Sequence, residues 1–228
     1  MKDEQKRYKR LANSSIKGKS KQEKFKRLTL ALKAQNVKRW HTVETTENNS
    51  VGLHSARVIE ILFFLYDYLS LAPLRAELIM AALRHDYAEV CFGDVPHHAA
   101  TKEIKSLINK QENIWLINNY FNEPILTIEK DMLYLADKLE ALMFCLRELA
   151  KGNILMEKIA QTSFKGLDEQ AYKALKRHGL DVSQIINQLK IEHQEIKDGH
   201  ISTDILVDLI KQIPPSEQLL IKQAVNDL

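Results

Sequence analysis

The stretch Arg84-His85-Asp86-Tyr87-Ala88-Glu89-Val90-Cys91-Phe92-Gly93-Asp94-Val95-Pro96 decides how this chain is read. It closes an apolar helical run that includes Leu78, Ile79, Ala81, Ala82 and Leu83. On a helix His85 and Asp86 point about 100° apart, close enough for an imidazole and a carboxylate to reach one ion. Glu89 follows Asp86 by three residues, on the same helix face. Gly93 can end the helix in a left-handed conformation, and Asp94 then hangs off the turn near the same centre. One helix end thus offers two ligands and two further carboxylates. Carboxylates beside a divalent ion can orient an attacking water and accept its proton. A His-Asp dipeptide alone is a weak signal, so its surroundings must carry the reading.

Two other segments supply matching groups. His54 begins a second apolar helix, Val58-Ile59 through Leu69, for which Ser50 is an N-cap candidate. Asp137 sits mid-helix in Leu133-Tyr134-Leu135-Ala136-Asp137-Lys138-Leu139-Glu140-Ala141-Leu142. A carboxylate among apolar neighbours is costly unless it is paired or ligated. Three separate helices can therefore aim His54, His85, Asp86 and Asp137 at one point. Neutral nitrogen plus anionic oxygen suits one divalent ion such as Mn²⁺, Co²⁺, Fe²⁺, Zn²⁺ or Mg²⁺.

Periodic apolar segments dominate, no run alternates strictly, and only seven Gly and five Pro occur in 228 residues. The fold class is therefore all-α. The spacing predicts helices over 22–37, 51–70, 74–92, 124–150, 154–162, 168–178, 181–196, 203–212 and 216–227. The first would use Phe25, Leu28, Leu30, Leu32 and Val37 as its apolar residues. Arg39 to Ser50 reads as a polar loop and 97–122 as a looser stretch. Pro124 fits a first helical turn, Gly152-Asn153 stops that helix, and Pro214-Pro215 breaks a later one.

Hydrophobic content of 45% and charge of 28% describe a chain able to bury a core. No apolar run approaches the roughly 20 residues that span a bilayer. The first 30 residues lack the apolar centre of a secretory signal. Cys91 and Cys145 lie in apolar helical contexts and read as buried thiols of a reducing cytoplasm. Charge divides along the chain: residues 1–40 hold 14 Lys and Arg against 3 Asp and Glu, a net of +11, and the remainder nets −8, which together give +3. The basic segment reads as a solvated tail, with a weak nucleic-acid contact as the alternative. His97 and His98 fall in a loop, and His41 neighbours Trp40. His178, His193 and His200 read as surface groups.

The order His, His-Asp, Asp resembles the HD-domain metal-dependent phosphohydrolases. Within them the chain is similar to the 5′-deoxynucleotidases and to phage enzymes that hydrolyse deoxynucleoside triphosphates. The matching pieces are Arg39-Trp40, Thr46-Glu47-Asn48, His54-Ser55, His85-Asp86 with Glu89, Asp94 and Pro96, then Ala136-Asp137, and finally Cys145-Leu146, Glu148-Leu149-Ala150 and Gly152-Asn153. The resemblance implies an HD helical bundle over 37–160, preceded by a basic extension over 1–36 and followed by extra C-terminal helices over 161–228. It implies that His54, His85, Asp86 and Asp137 bind the metal. Glu89 would activate water, Asp94 would assist at the leaving oxygen or the deoxyribose, Arg39 would hold phosphate and Trp40 would wall the pocket. One departure is Leu53, where a Glu commonly precedes the ligand histidine; it leaves the hydrogen bonding around His54 open.

The expected activity is hydrolysis of a deoxyribonucleoside monophosphate to deoxynucleoside and phosphate. A triphosphohydrolase releasing tripolyphosphate from a dNTP such as dATP is the second enzyme reading. An HD scaffold that senses nucleotide or docks on nucleic acid without turnover is the reading from another class. A small-molecule nucleotide, a homodimer contact and no membrane complete the expected partners.

Overall fold

A computed structural model describes residues 20–93, 101–119, 121 and 123–199. The helices expected over 203–212 and 216–227, His200, and residues 1–19 of the basic segment lie outside the described residues. So do Asp94, His97 and His98. The described chain is all-α, as the apolar periodicity predicts, with α1 (Lys21–Gln35), α2 (Val51–Tyr68), α3 (Ala76–Arg84), the short α4 (Glu89–Phe92) and α5 (Lys102–Asn118). There follow α6 (Thr127–Ala150), a 3₁₀ turn (Ile154–Met156), α7 (Glu157–Gly166), a π turn (Leu167–Ala171), α8 (Tyr172–Lys176) and α9 (Ser183–Lys197). Among the described residues the only strand-like pairing is an isolated bridge between Lys38 and Ser50. No described helix is long and apolar enough to cross a membrane.

The 24-residue α6 runs about 36 Å at 1.5 Å per residue and forms the axis of the bundle. Helices α2, α3, α7 and α9 pack around it. Met132, Leu135, Leu139, Leu142 and Cys145 recur at helical spacing and meet Val58, Leu62 and Leu65 of α2 and Leu78 and Ala82 of α3. Each fully buried Leu or Val contributes about 1.5–3 kcal/mol. A smaller cluster of Ala34, Val51, Tyr87 and Phe121 joins α1 and α5 to the rest.

Several boundaries differ from expectation. The run 74–92 is two helices, because the chain between them tightens: Tyr87, Glu89, Val90 and Cys91 each donate a backbone N–H three residues back. Gly93 carries φ +72°, as a helix stop, but ψ 166° takes the chain away extended. The stretch 97–122 contains a 17-residue helix, α5, whose N-cap Thr101 accepts from the Ile104 N–H. Its apolar side chains lie on both faces, with Ile104, Leu107 and Ile117 exposed, which blurs the periodicity. Helix α6 begins at Thr127, so Pro124 precedes it; the Glu129 carboxylate accepts from the Leu126 N–H there. The segments read as 154–162 and 168–178 run together through the π turn, because Phe164 and Leu167 are buried and continue the core.

Helix α1 buries Ala34 and leaves Phe25, Leu28 and Leu32, three of its expected apolar residues, exposed. Cys91 is exposed, while Cys145 is buried. The Cys145 thiol is pushed up to about 12 by burial and by Glu140 and Glu148, so it is inert as a nucleophile. His193 is part-buried against Phe164 and bonded to Glu157.

Candidate metal centre

Three helices converge at one end of the core. Ser50 caps α2, its hydroxyl accepting from the Leu53 N–H, and His54 sits in the first turn with no exposed surface. His85 and Asp86 follow α3 in the tightened turn, and Asp137 projects from the middle of α6. The two imidazole Nε2 atoms lie 3.2 Å apart. Asp86 Oδ2 is 3.5 Å from His54 Nε2, and Asp86 Oδ1 is 3.3 Å from His85 Nε2. Asp137 Oδ1 closes the ring at 3.2 and 3.9 Å from the same two nitrogens. Donor atoms of His54, His85 and Asp86 all lie within 4.8 Å of one another, a group able to hold an ion.

The outer nitrogens explain this arrangement. His85 Nδ1 faces the Ala82 carbonyl at 2.7 Å, which can only accept, so that nitrogen carries the proton. His54 Nδ1 faces the Glu140 carboxylate at 2.6 Å, another acceptor. In the neutral rings both Nε2 lone pairs then point at one another and at two carboxylates. Such a cluster is satisfied by a proton on one Nε2 or by a cation between its members. Burial alone would lower His85, yet Asp86 and Asp137 outweigh it and push the ring up to about 9. Asp137, despite burial, is held well below the usual carboxylate range by Lys138 and the two imidazoles. Asp86 is likewise lowered by His85 and Arg39. Two imidazole nitrogens with two anionic oxygens are the donor chemistry of a divalent ion.

Arg39 stands over this centre, its Nη1 donating to Asp86 Oδ2 at 2.6 Å. Trp40 follows with φ +60°, uncommon for a bulky residue. Its ring stacks on Phe144 of α6, centroids 5.2 Å apart and 15° from parallel. One indole face is thus already covered. Glu89 opens α4 with its backbone N–H donating to the Asp86 carbonyl. His41 is exposed.

The loop from Arg39 to Ser50 is tied down by α6. Glu148 is fully buried and accepts from the Thr46 N–H, the Thr46 hydroxyl and the Glu47 N–H. Asn153 donates both to Glu148 and to the Glu44 carbonyl. The Leu53 departure is absorbed elsewhere: Leu53 is exposed, and Arg57, one turn on, pairs with Glu47 at 3.6 Å and approaches Glu140 at 3.6 Å. Sequence reasoning assigned no role to Glu140, Glu148, Arg57 or Arg147. Glu140 had a signal, since it lies one turn beyond Asp137 on the same helix.

A family model of the YfbR-like 5′-deoxynucleotidases matches residues 26–180. The chain belongs to this family. It is a metal-dependent phosphoric ester hydrolase acting on deoxynucleotides. Solved structures share the YfbR-like chain's fold at low identity. An HD-domain phosphohydrolase from Listeria innocua is 20% identical, covers 75% of this chain and 97% of its own, and gives a TM-score of 0.56. The HD phosphohydrolase DatZ of cyanophage S-2L, solved with dA and one catalytic Zn²⁺ ion, is 20% identical over 75% of this chain and 96% of its own, with TM-score 0.52. The PH0347 protein of Pyrococcus horikoshii is 20% identical over 74% of this chain and 99% of its own, with TM-score 0.55. Against curated proteins the chain has no match.

Proposed function

We propose that this YfbR-like chain hydrolyses deoxyribonucleoside 5′-monophosphates to deoxynucleoside and inorganic phosphate, and that His54, His85, Asp86 and Asp137 hold its single divalent ion. The observation that carries the reading is the meeting of four donor side chains from three helices under one arginine. When bound, the ion supplies Lewis-acid charge that offsets charge on the phosphoryl oxygens. Arg39 exchanges its bond to Asp86 for a phosphate oxygen, where a guanidinium can grip two oxygens at once. Glu89 accepts the proton of the attacking water. The proton that Glu89 has accepted passes on to the leaving 5′ oxygen as the P–O bond breaks, with Asp94 assisting at that oxygen or at the deoxyribose. Trp40, backed by Phe144, walls the sugar or base. The deoxynucleoside held by the cyanophage protein supports a pocket of that size in this fold.

The experiment is a product screen over all dNMPs, NMPs and dNTPs with Mn²⁺, Co²⁺, Zn²⁺ and Mg²⁺. Inorganic phosphate from dNMPs, with little from NMPs, is expected. Tripolyphosphate from dNTPs would replace the monophosphate reading with the triphosphohydrolase one. No turnover on any nucleotide would leave the binding scaffold.

A further inference from the structure

Glu140 has no place in the ligand set, yet it is 1% exposed and its Oε2 lies 2.6 Å from His54 Nδ1. A carboxylate is not placed in a core without partners that repay its lost hydration. Its second oxygen, Oε1, faces two guanidiniums, Arg57 Nη1 at 3.6 Å and Arg147 Nη2 at 3.9 Å. Both distances exceed a hydrogen bond, so the arginines act through charge. Each arginine leads on to the loop that bears Arg39 and Trp40. Arg57 pairs with Glu47 at 3.6 Å. Arg147 lies over the Phe144 ring at 5.7 Å, and Phe144 is the ring on which Trp40 stacks. Glu140 is therefore the point where His54 and the loop are joined.

We infer that Glu140 is a positioning residue: by accepting the Nδ1 proton it fixes the tautomer and ring plane of His54, so that Nε2 faces the divalent ion. The inference rests on the proposed ligand role of His54. A histidine whose outer nitrogen has no acceptor can place its proton on either nitrogen, and half of that choice closes the coordinating position. A carboxylate partner removes the choice and makes the ring a better donor. The alternative is a merely structural carboxylate, satisfied by its neighbours and indifferent to the metal.

Glu140→Gln separates the two, because it keeps the shape and removes the charge. The readout is Co²⁺ binding to the metal-free protein, followed by calorimetry and by the visible absorption of the bound ion. Glu140→Gln is expected to weaken Co²⁺ binding by about 10–100-fold, the usual loss for a second partner of a ligand histidine. The metal-free melting temperature should shift little, and Glu140→Ala should weaken binding further. Unchanged Co²⁺ affinity in Glu140→Gln, with affinity lost in His54→Asn, overturns this inference alone. Unchanged affinity in both overturns the ligand reading and this inference with it. Should Glu140→Gln fail to fold, the unaltered metal-free protein decides. Nitrogen-edited imidazole spectra must show His54 protonated on Nδ1 and protected from exchange; a proton on Nε2 with Nδ1 bare overturns the inference.

Discussion

The carboxylate of Glu148 holds Thr46 twice, accepting its backbone N–H and its hydroxyl at 2.7 Å each across 102 residues of sequence. Burial alone would raise the Glu148 carboxyl. The bonds from Asn153, Thr46 and Glu47 outweigh that and hold it below the ordinary glutamate range. A group whose folded value is lowered contributes stability that is full above its unfolded value and lost as pH falls through the folded one. Glu148→Gln should therefore cost about 1.5–3 kcal/mol at neutral pH, the range for hydrogen bonds to a charged group. The gap in melting temperature between the two proteins should narrow as pH falls below about 4.3, where unfolded glutamate takes its proton. A gap that stays constant down through that range would show that the bonds, and not the charge, matter. The variant should also raise KM, because the clamped loop carries Arg39 and Trp40.

Ligation and proton chemistry separate at Asp86 and Glu89. Asp86→Ala removes an anionic donor that touches both imidazoles. It should lose bound metal and at least about 10³-fold in activity, since metal charge stabilisation supplies several kcal/mol. A variant that kept both metal and turnover would sink the assignment. Glu89→Ala should keep the metal and lose about 10²–10⁴-fold in kcat, the range for removal of a general base. Metal loss in Glu89→Ala would make Glu89 a ligand instead.

Substrate recognition separates at Arg39 and Trp40. Arg39→Ala should raise KM on every phosphate ester, because the contact proposed for Arg39 is to phosphate. Trp40→Ala should weaken nucleotide binding by about 1–3 kcal/mol if the indole stacks on a base. A phosphate ester lacking a base should respond to Arg39→Ala and largely ignore Trp40→Ala. Equal losses on both esters would restrict Trp40 to its packing on Phe144.

What the chain declared in advance follows from physical range. Helices α2 and α6 are legible because each buries one continuous stripe, Val58, Leu62 and Leu65 in one and Leu135, Leu139 and Leu142 in the other. The break after Arg84 is not, because three-residue hydrogen bonds leave no mark on hydropathy. The four proposed ligands stand out by residue type against apolar neighbours. Their meeting point does not, since it depends on how α2, α3 and α6 cross. Thr46-Glu47 and Glu148 with Asn153 are separate fragments of the sequence, and the fold bonds them to each other. No local pattern in either fragment could name the other as its partner. Glu140 was within reach, three residues past Asp137, but its value lies in His54, which only the packing brings near.

The N-terminal segment gives the last test, and the structure sets where to cut. Ser20 caps α1: its hydroxyl accepts from the Glu23 N–H at 3.2 Å, while the Glu23 carboxylate accepts from the Ser20 N–H at 2.8 Å. Such a reciprocal cap is worth about 0.5–2 kcal/mol. Cutting after residue 20 would remove it and fray a helix whose Ala34 is buried against the rest. Deletion should therefore cover residues 2–19 and retain Ser20. That variant is expected to fold, keep its metal and hydrolyse mononucleotides at near-normal kcat, because the removed segment is rich in Lys and poor in apolar residues. Any binding of DNA or RNA by the intact chain should fall and become less salt-dependent, since clustered Lys binds phosphate by counterion release. A large loss of kcat on a mononucleotide would refute the solvated-tail reading. It would place the basic segment at the active site or at a contact that shapes it.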